Sequence, residues 1–197
     1  FLMSMEHYRA AQKAGKKDLQ TRTSQKLPVE MPALDAILEH IDISGEVPLG
    51  LVDIPTELIV GTKTCGRASS FAPNFMPILG ENTEFAAKWS SLCDAHLKEG
   101  IRDPIVAYEY MNHYYIQEGN KRVSVLKYFD AISIPGYVTR IIPAREDTPE
   151  SRIYYEFLDF YNATNINYLF FSKEGSYAHL AFHLGHRRYE RWSMDDR

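Results

Sequence analysis

The sequence predicts an α/β fold of the α+β kind: a small mixed sheet with helices packed on it, carrying a helical N-terminal extension and an aromatic α/β C-terminal extension. Three observations predict it. Residues 135–142 alternate Tyr137, Thr139 and Ile141 against Val138, Arg140 and Ile142, the period of a strand, while residues 121–129 place Val123, Leu126 and Phe129 at helical spacing. Two strand-like runs, 104–110 and 114–117, are separated only by Met111-Asn112-His113 and read as a hairpin. The resulting order, β-α-β-β-α-β, lets helices cover one side of a single sheet.

Each element follows from its own residues. Positions 4–23 are rich in Lys, Gln and Ala, with a thin apolar face of Met5, Tyr8 and Ala11 interrupted at Gly15. A solvent-exposed helix is expected there, one that can pack on another chain and so support an oligomer. Pro28 and Pro32 make residues 27–32 a linker. Leu34, Ile37, Leu38 and Ile41 mark a short helix. Residues 48–54 read as a strand closed by Pro55, and 61–77 as a loop dense in Gly, Ser, Pro and Asn. A helix over 81–99 has Asn82 or Thr83 as cap, a stripe of Phe85, Trp89, Leu92, Cys93 and His96, and Gly100 as its stop.

Beyond the last central strand, residues 150–161 predict a helix with Ile153, Tyr154, Phe157 and Phe160 inward. Residues 167–171 predict a short strand, and Ser172 caps a helix running to Leu184 and ended by Gly185. A charged tail, 186–197, follows, and the chain is expected to be a fragment of something longer. The organisation is therefore 1–47, a helical extension and linker; 48–148, the central domain; and 149–197, the C-terminal extension.

Composition narrows the function. The 197 residues are 45% hydrophobic, enough for a sizeable core, and the formal net charge is −4. That balance gives no support to broad coating of a nucleic-acid backbone, though it leaves room for a local basic spot. Cys65 and Cys93 have neither CxxC spacing nor His partners at metal spacing, which fits a reducing compartment. No apolar run approaches the ~18–20 residues that span a bilayer, and Phe1-Leu2-Met3 is too short for a signal peptide. A cytoplasmic protein with no membrane partner is expected.

The chemistry concentrates in Gln117-Glu118-Gly119-Asn120-Lys121-Arg122. A strand ends, Gly119 permits a sharp bend, and a helix begins with backbone N–H groups outside its ladder. An anion at that end meets partial positive charge together with Lys121 and Arg122 on the first turn. Asn120 can cap the helix. Taken alone, the string reads first as a tight turn with two solvated cations behind it.

Its surroundings carry more. Val52-Asp53-Ile54-Pro55, then Glu99-Gly100-Ile101-Arg102-Asp103-Pro104-Ile105-Val106, then Glu118-Gly119-Asn120-Lys121-Arg122, then Ile134-Pro135-Gly136, occur in the order found in the ParB N-terminal domain. About half the chain resembles this ParB/sulfiredoxin superfamily, which includes the ParB-like nucleases, as a divergent member. The resemblance implies a bacterial protein that binds a nucleotide or other phosphate ligand at residues 119–122, with CTP or ATP and Mg2+ as cofactors. It also implies a link to DNA binding or to phosphoryl or phosphodiester chemistry. Nucleotide hydrolase, phosphotransferase and nuclease all stay open, as does the absence of catalysis. Glu118 matches the acidic position of the nucleases and free-serine kinases of this fold and would hold the metal or act as base. The loop around Lys63, Thr64, Arg67 and Ser69 would close over the phosphates. Two features depart from the family: Asn120-Lys121 stands where partition proteins carry Glu-Arg, and Asn120 where sulfiredoxin carries its cysteine. Partition-type hydrolysis and sulfinic acid reduction are therefore not implied. The alternative is a non-catalytic interaction or regulatory module of a larger bacterial protein.

Other candidates weigh less. His179 and His183 are four apart, as zinc ligands often are, but lack the acidic partner of a His-Glu-x-x-His motif. Glu156 and Asp159 lie three apart on an otherwise aromatic helix, where a wet face explains them.

Overall fold

The computed structural model describes residues 2–187 and 190–197, without the side chains of Leu2, Met3 and Arg67. The chain divides into two compact units, Phe1–Ile142 and Pro143–Arg197.

The first unit is a mixed α/β structure built on one five-stranded sheet. Its strands are β1 (Ile43–Pro55), β2 (Ile59–Thr62), β3 (Ile105–Tyr110), β4 (His113–Glu118) and β5 (Ser133–Pro143), in the order β1-β5-β3-β4-β2. β3 and β4 form the expected antiparallel hairpin, and the turn residues Met111 and Asn112 both take positive φ. β2 runs parallel to β4, and β5 parallel to β3. β1 is much longer than residues 48–54, and Gly61 and Thr62, expected in a loop, belong to β2.

Helices α1 (Leu2–Ser24), α2 (Leu34–Leu38), α3 (Cys65–Ala68), α4 (Glu84–Glu99) and α5 (Asn120–Tyr128) complete this unit. On one sheet face Ile54, Ile105, Ala107, Tyr114, Ile116 and Val138 pack against Val123 and Leu126 of α5. The opposite side of α5 offers Val125 to α4, whose Trp89 and Cys93 meet Tyr8 and Ala11 of α1. Thr83 caps α4 by accepting from the Ala86 amide at 3.1 Å, and Gly100 follows its end with φ 78°. The other sheet face is not bare, as one-sided coverage would require: Leu34 of α2 closes over Tyr115 and Ile141.

Two expectations fail in the folded chain. The N-terminal helix is not a solvent-exposed one, because Tyr8 and Ala11 are fully buried and the Tyr8 hydroxyl donates to the Leu79 carbonyl at 2.8 Å. A thin apolar stripe suffices when one bulky partner, Trp89, fills it. The face expected to meet another chain is thus covered from within. Residues 61–77 are not a polar flap either: Phe71 and Phe75 are core residues, and Phe71 bridges back to Pro77.

Near the end of α5, the Lys127 Nζ donates to the Ile59 carbonyl at 2.9 Å and lies 5.3 Å from the Phe75 ring centroid. Burial pushes this ammonium down to about 8 from its ordinary value of 10.5. The folded chain therefore binds fewer protons than the unfolded one between those values. The stabilising contribution is complete above the unfolded value and is lost as pH falls through about 8. Lys127→Met is accordingly expected to be more stable than the wild type at pH 7, by on the order of 1 kcal/mol after losing the bond to Ile59. Thermal melts should show that advantage shrinking as pH rises toward 10. A variant less stable at neutral pH would contradict it.

The second unit contains α6 (Pro149–Thr164) and α7 (Ser176–His183). Thr148 caps α6 by accepting from Ser151, with Pro149 in its first turn. Tyr154, Phe157 and Phe160 are buried, as their spacing predicts, and Ile153 is half-buried. Residues 167–171 are irregular rather than a strand. α7 starts at Ser176, after Gly175 with φ 79°, not at Ser172; the Gly175 amide is taken by the Glu156 carboxylate at 2.8 Å. The tail is not merely charged, since Trp192 is buried and its ring centroid lies 5.8 Å from that of Phe160. No helix among the described residues is long and apolar enough to cross a membrane.

Candidate functional site

The β4–α5 junction takes the form its residues predict. β4 ends at Glu118, Gly119 turns in the left-handed region with φ 97°, and α5 begins at Asn120. No side chain caps α5; its first backbone bond runs from the Val123 amide to the Gly119 carbonyl at 2.9 Å, leaving earlier amides outside the ladder.

That helix start opens onto a cleft of about 440 Å³. Glu118, Gly119, Asn120, Lys121 and Arg122 form its polar side, and Phe71, Leu79, Phe85 and Leu92 its apolar side. The Lys121 ammonium stands 4.9 Å from the Phe85 ring centroid, a cation–π placement that directs it along the wall. The Arg122 Nη1 donates to the carbonyls of Asp103 and Pro104 at 2.9 and 2.8 Å. Neutral carbonyls fix the guanidinium without cancelling its charge, and among the described residues Arg122 has no carboxylate within ion-pair distance. Asn120 is 8% exposed, and its Oδ1 is buried without a hydrogen-bond partner. An unsatisfied buried amide oxygen costs ~1–3 kcal/mol, so it needs a reason. Asn120 is the first residue of α5 rather than its cap.

The other predicted contributors separate from this group. Lys63 pairs with Asp35 of α2 and lies 5.0 Å from the Tyr108 ring centroid; Tyr108 belongs to the cluster on the sheet face away from α5. Thr64 is exposed before α3, and its carbonyl accepts from the Thr62 hydroxyl. Neither lines the cleft, and the Arg67 side chain falls outside the described residues. Ser70, rather than Ser69, reaches the lining. The sequence reading missed Phe85 as the floor beneath Lys121. Its helical stripe marked it as buried, but not against what.

As for a metal, Glu118 is the one carboxylate in the lining, and it is exposed. No group of three or more His, Cys, Asp or Glu able to hold an ion occurs among the described residues. One exposed carboxylate is too few donors for a cation caged by protein alone. His179 and His183 stack edge to face at 4.4 Å, while His186 stacks on Trp192. Burial pushes the Cys93 thiol up to about 11, which keeps it protonated and inert.

A crystal structure of sulfiredoxin from Arabidopsis thaliana is similar to this chain at 19% identity and a TM-score of 0.32, over 45% of this chain and 82% of that one. No family model matches the chain, and no curated protein matches it.

Proposed function

We propose that the cleft at the start of α5 binds the phosphates of a nucleotide, with magnesium between those phosphates and Glu118. The observation that carries the reading is the uncapped start of α5, which shares a cleft with the cations Lys121 and Arg122; the orphaned Asn120 Oδ1, an acceptor, calls for a donor on the ligand or for the metal, not for a phosphate oxygen. Phosphate oxygens there receive charge-assisted hydrogen bonds from Arg122 and Lys121, and the helix end adds a further ~0.3–1 kcal/mol. The carbonyls of Asp103 and Pro104 hold Arg122 in place beforehand, which lowers the entropy lost on binding. Resemblance of the ordered segments to ParB domains supports CTP or ATP as the nucleotide. Half-buried Phe85 gives the cleft an apolar wall against which a base can lie. Glu118 is placed to orient the metal, or to take a proton should the phosphates be cleaved.

The test is thermal shift with CTP and ATP, each with magnesium. Binding to the native state raises stability by about 2.7 kcal/mol at a ligand concentration a hundredfold above Kd. Lys121→Ala/Arg122→Ala should abolish that rise, and Arg122→Lys should weaken it without disturbing the fold. A full response from the double variant would place the ligand elsewhere.

A further inference from the structure

We propose that an open cleft of about 520 Å³, flanked by Thr56 and Lys127, is a second site in which the Lys127 amine captures a small uncharged carbonyl compound as an imine. It shares no lining residue with the phosphate cleft.

The geometry assembles the groups such a capture needs. Lys127 is half-buried, and its Nζ makes one hydrogen bond, to the Ile59 carbonyl at 2.9 Å. No carboxylate lies within ion-pair distance of it among the described residues. Although the carbonyl bond itself favours the charged form, an amine without a counter-charge more readily sheds the proton that masks its lone pair. The desolvation that lowers its proton affinity acts in the same direction. Thr56, 8% exposed, lines the same cleft with its Oγ1 buried and unpartnered. A hydroxyl can donate to a carbonyl oxygen and then accept from the hydroxyl formed on it.

The chemistry balances without a further reactant. The Nζ lone pair bonds to the carbonyl carbon, the C=O π pair moves to oxygen, and a proton passes from nitrogen to that oxygen, giving a carbinolamine. Loss of the hydroxyl with the second nitrogen proton, as water, leaves the C=N bond. Exposed Glu57 and Asp130 are the acidic groups of the cleft, and they disfavour anionic substrates. The remaining titratable neighbour, Tyr128, has its hydroxyl engaged by His7 at 3.0 Å. An uncharged aldehyde is therefore the substrate class.

Propionaldehyde with cyanoborohydride tests this on the full chain at pH 7.5, with adducts located by peptide mass spectrometry. Lys127 should be alkylated on the order of tenfold faster than exposed Lys16 and Lys98, because far more of it is unprotonated. The preference should vanish in urea, and Thr56→Val should reduce the Lys127 adduct severalfold while leaving the other two unchanged. Equal rates at the three lysines, a preference that survives urea, or a Thr56→Val yield equal to the wild type would each overturn the proposal.

Discussion

Trp89→Ala should lower the stability of the first unit by about 3–5 kcal/mol, a large part of the ~5–15 kcal/mol that holds a typical domain together. The indole is fully buried and lies edge-on to Tyr8 at 5.5 Å and to Tyr128 at 5.7 Å. It belongs at once to α4, to the α1 packing and to the α5 packing. Truncation removes the transfer energy of the ring and leaves a void that three helices cannot close together. Its N–H also donates to the Ser124 Oγ at 2.9 Å, so the variant orphans a buried hydroxyl on α5. Urea denaturation should show a lower midpoint with an unchanged slope. Trp89→Phe, which refills much of the volume, should recover part of the loss. A cost below ~1 kcal/mol for Trp89→Ala would mean that α1 and α4 do not pack as described.

Gly119→Ala should be costly for stability and severe for ligand binding. At φ 97° an L side chain is strained, and the added Cβ would sit 2.7 Å from the Ile105 Cγ2 and 3.2 Å from its Cβ. Ile105 is itself fully buried, so it cannot step aside. Backbone strain and overpacking together come to roughly 2–4 kcal/mol. The turn would have to relax by moving the first residues of α5, and with them Asn120, Lys121 and Arg122. A variant that still folds should therefore lose the nucleotide-dependent rise in melting temperature out of proportion to its destabilisation. A Gly119→Ala protein with normal stability and an undiminished ligand response would refute the geometry of the turn.

The hairpin, α4 with a cap at Asn82 or Thr83, the α6 stripe and the bend at Gly119 were legible before any coordinates. Each is written in neighbouring residues: a period of two or 3.6, a capping side chain, a glycine where the chain must turn. Less legible were features whose signal depends on a distant partner. Trp192 sits in a tail that reads as charged, yet it docks on Phe160. Residues 167–171 have strand-like composition and remain irregular, because strand propensity needs a neighbouring strand to pair with. The Gly, Ser, Pro and Asn content of 61–77 reads as an open loop, yet its two phenylalanines, Phe71 and Phe75, enter the sheet core.

The cations show the division most directly. Sequence by itself determined that Lys121 and Arg122 stand on the first turn of a helix behind a glycine, because the four consecutive residues 119–122 leave little freedom there. Lys63 looked equivalent in charge and loop context, and only the tertiary structure decided otherwise: it pairs with Asp35 on α2, on the side of Tyr108. The burial of α1 and the desolvation of Lys127 were decided in the same way. The physical reason is common to all three. Local periodicity states which side of an element is apolar, whereas the surface that covers it comes from residues tens of positions away, whose approach only the packed chain defines.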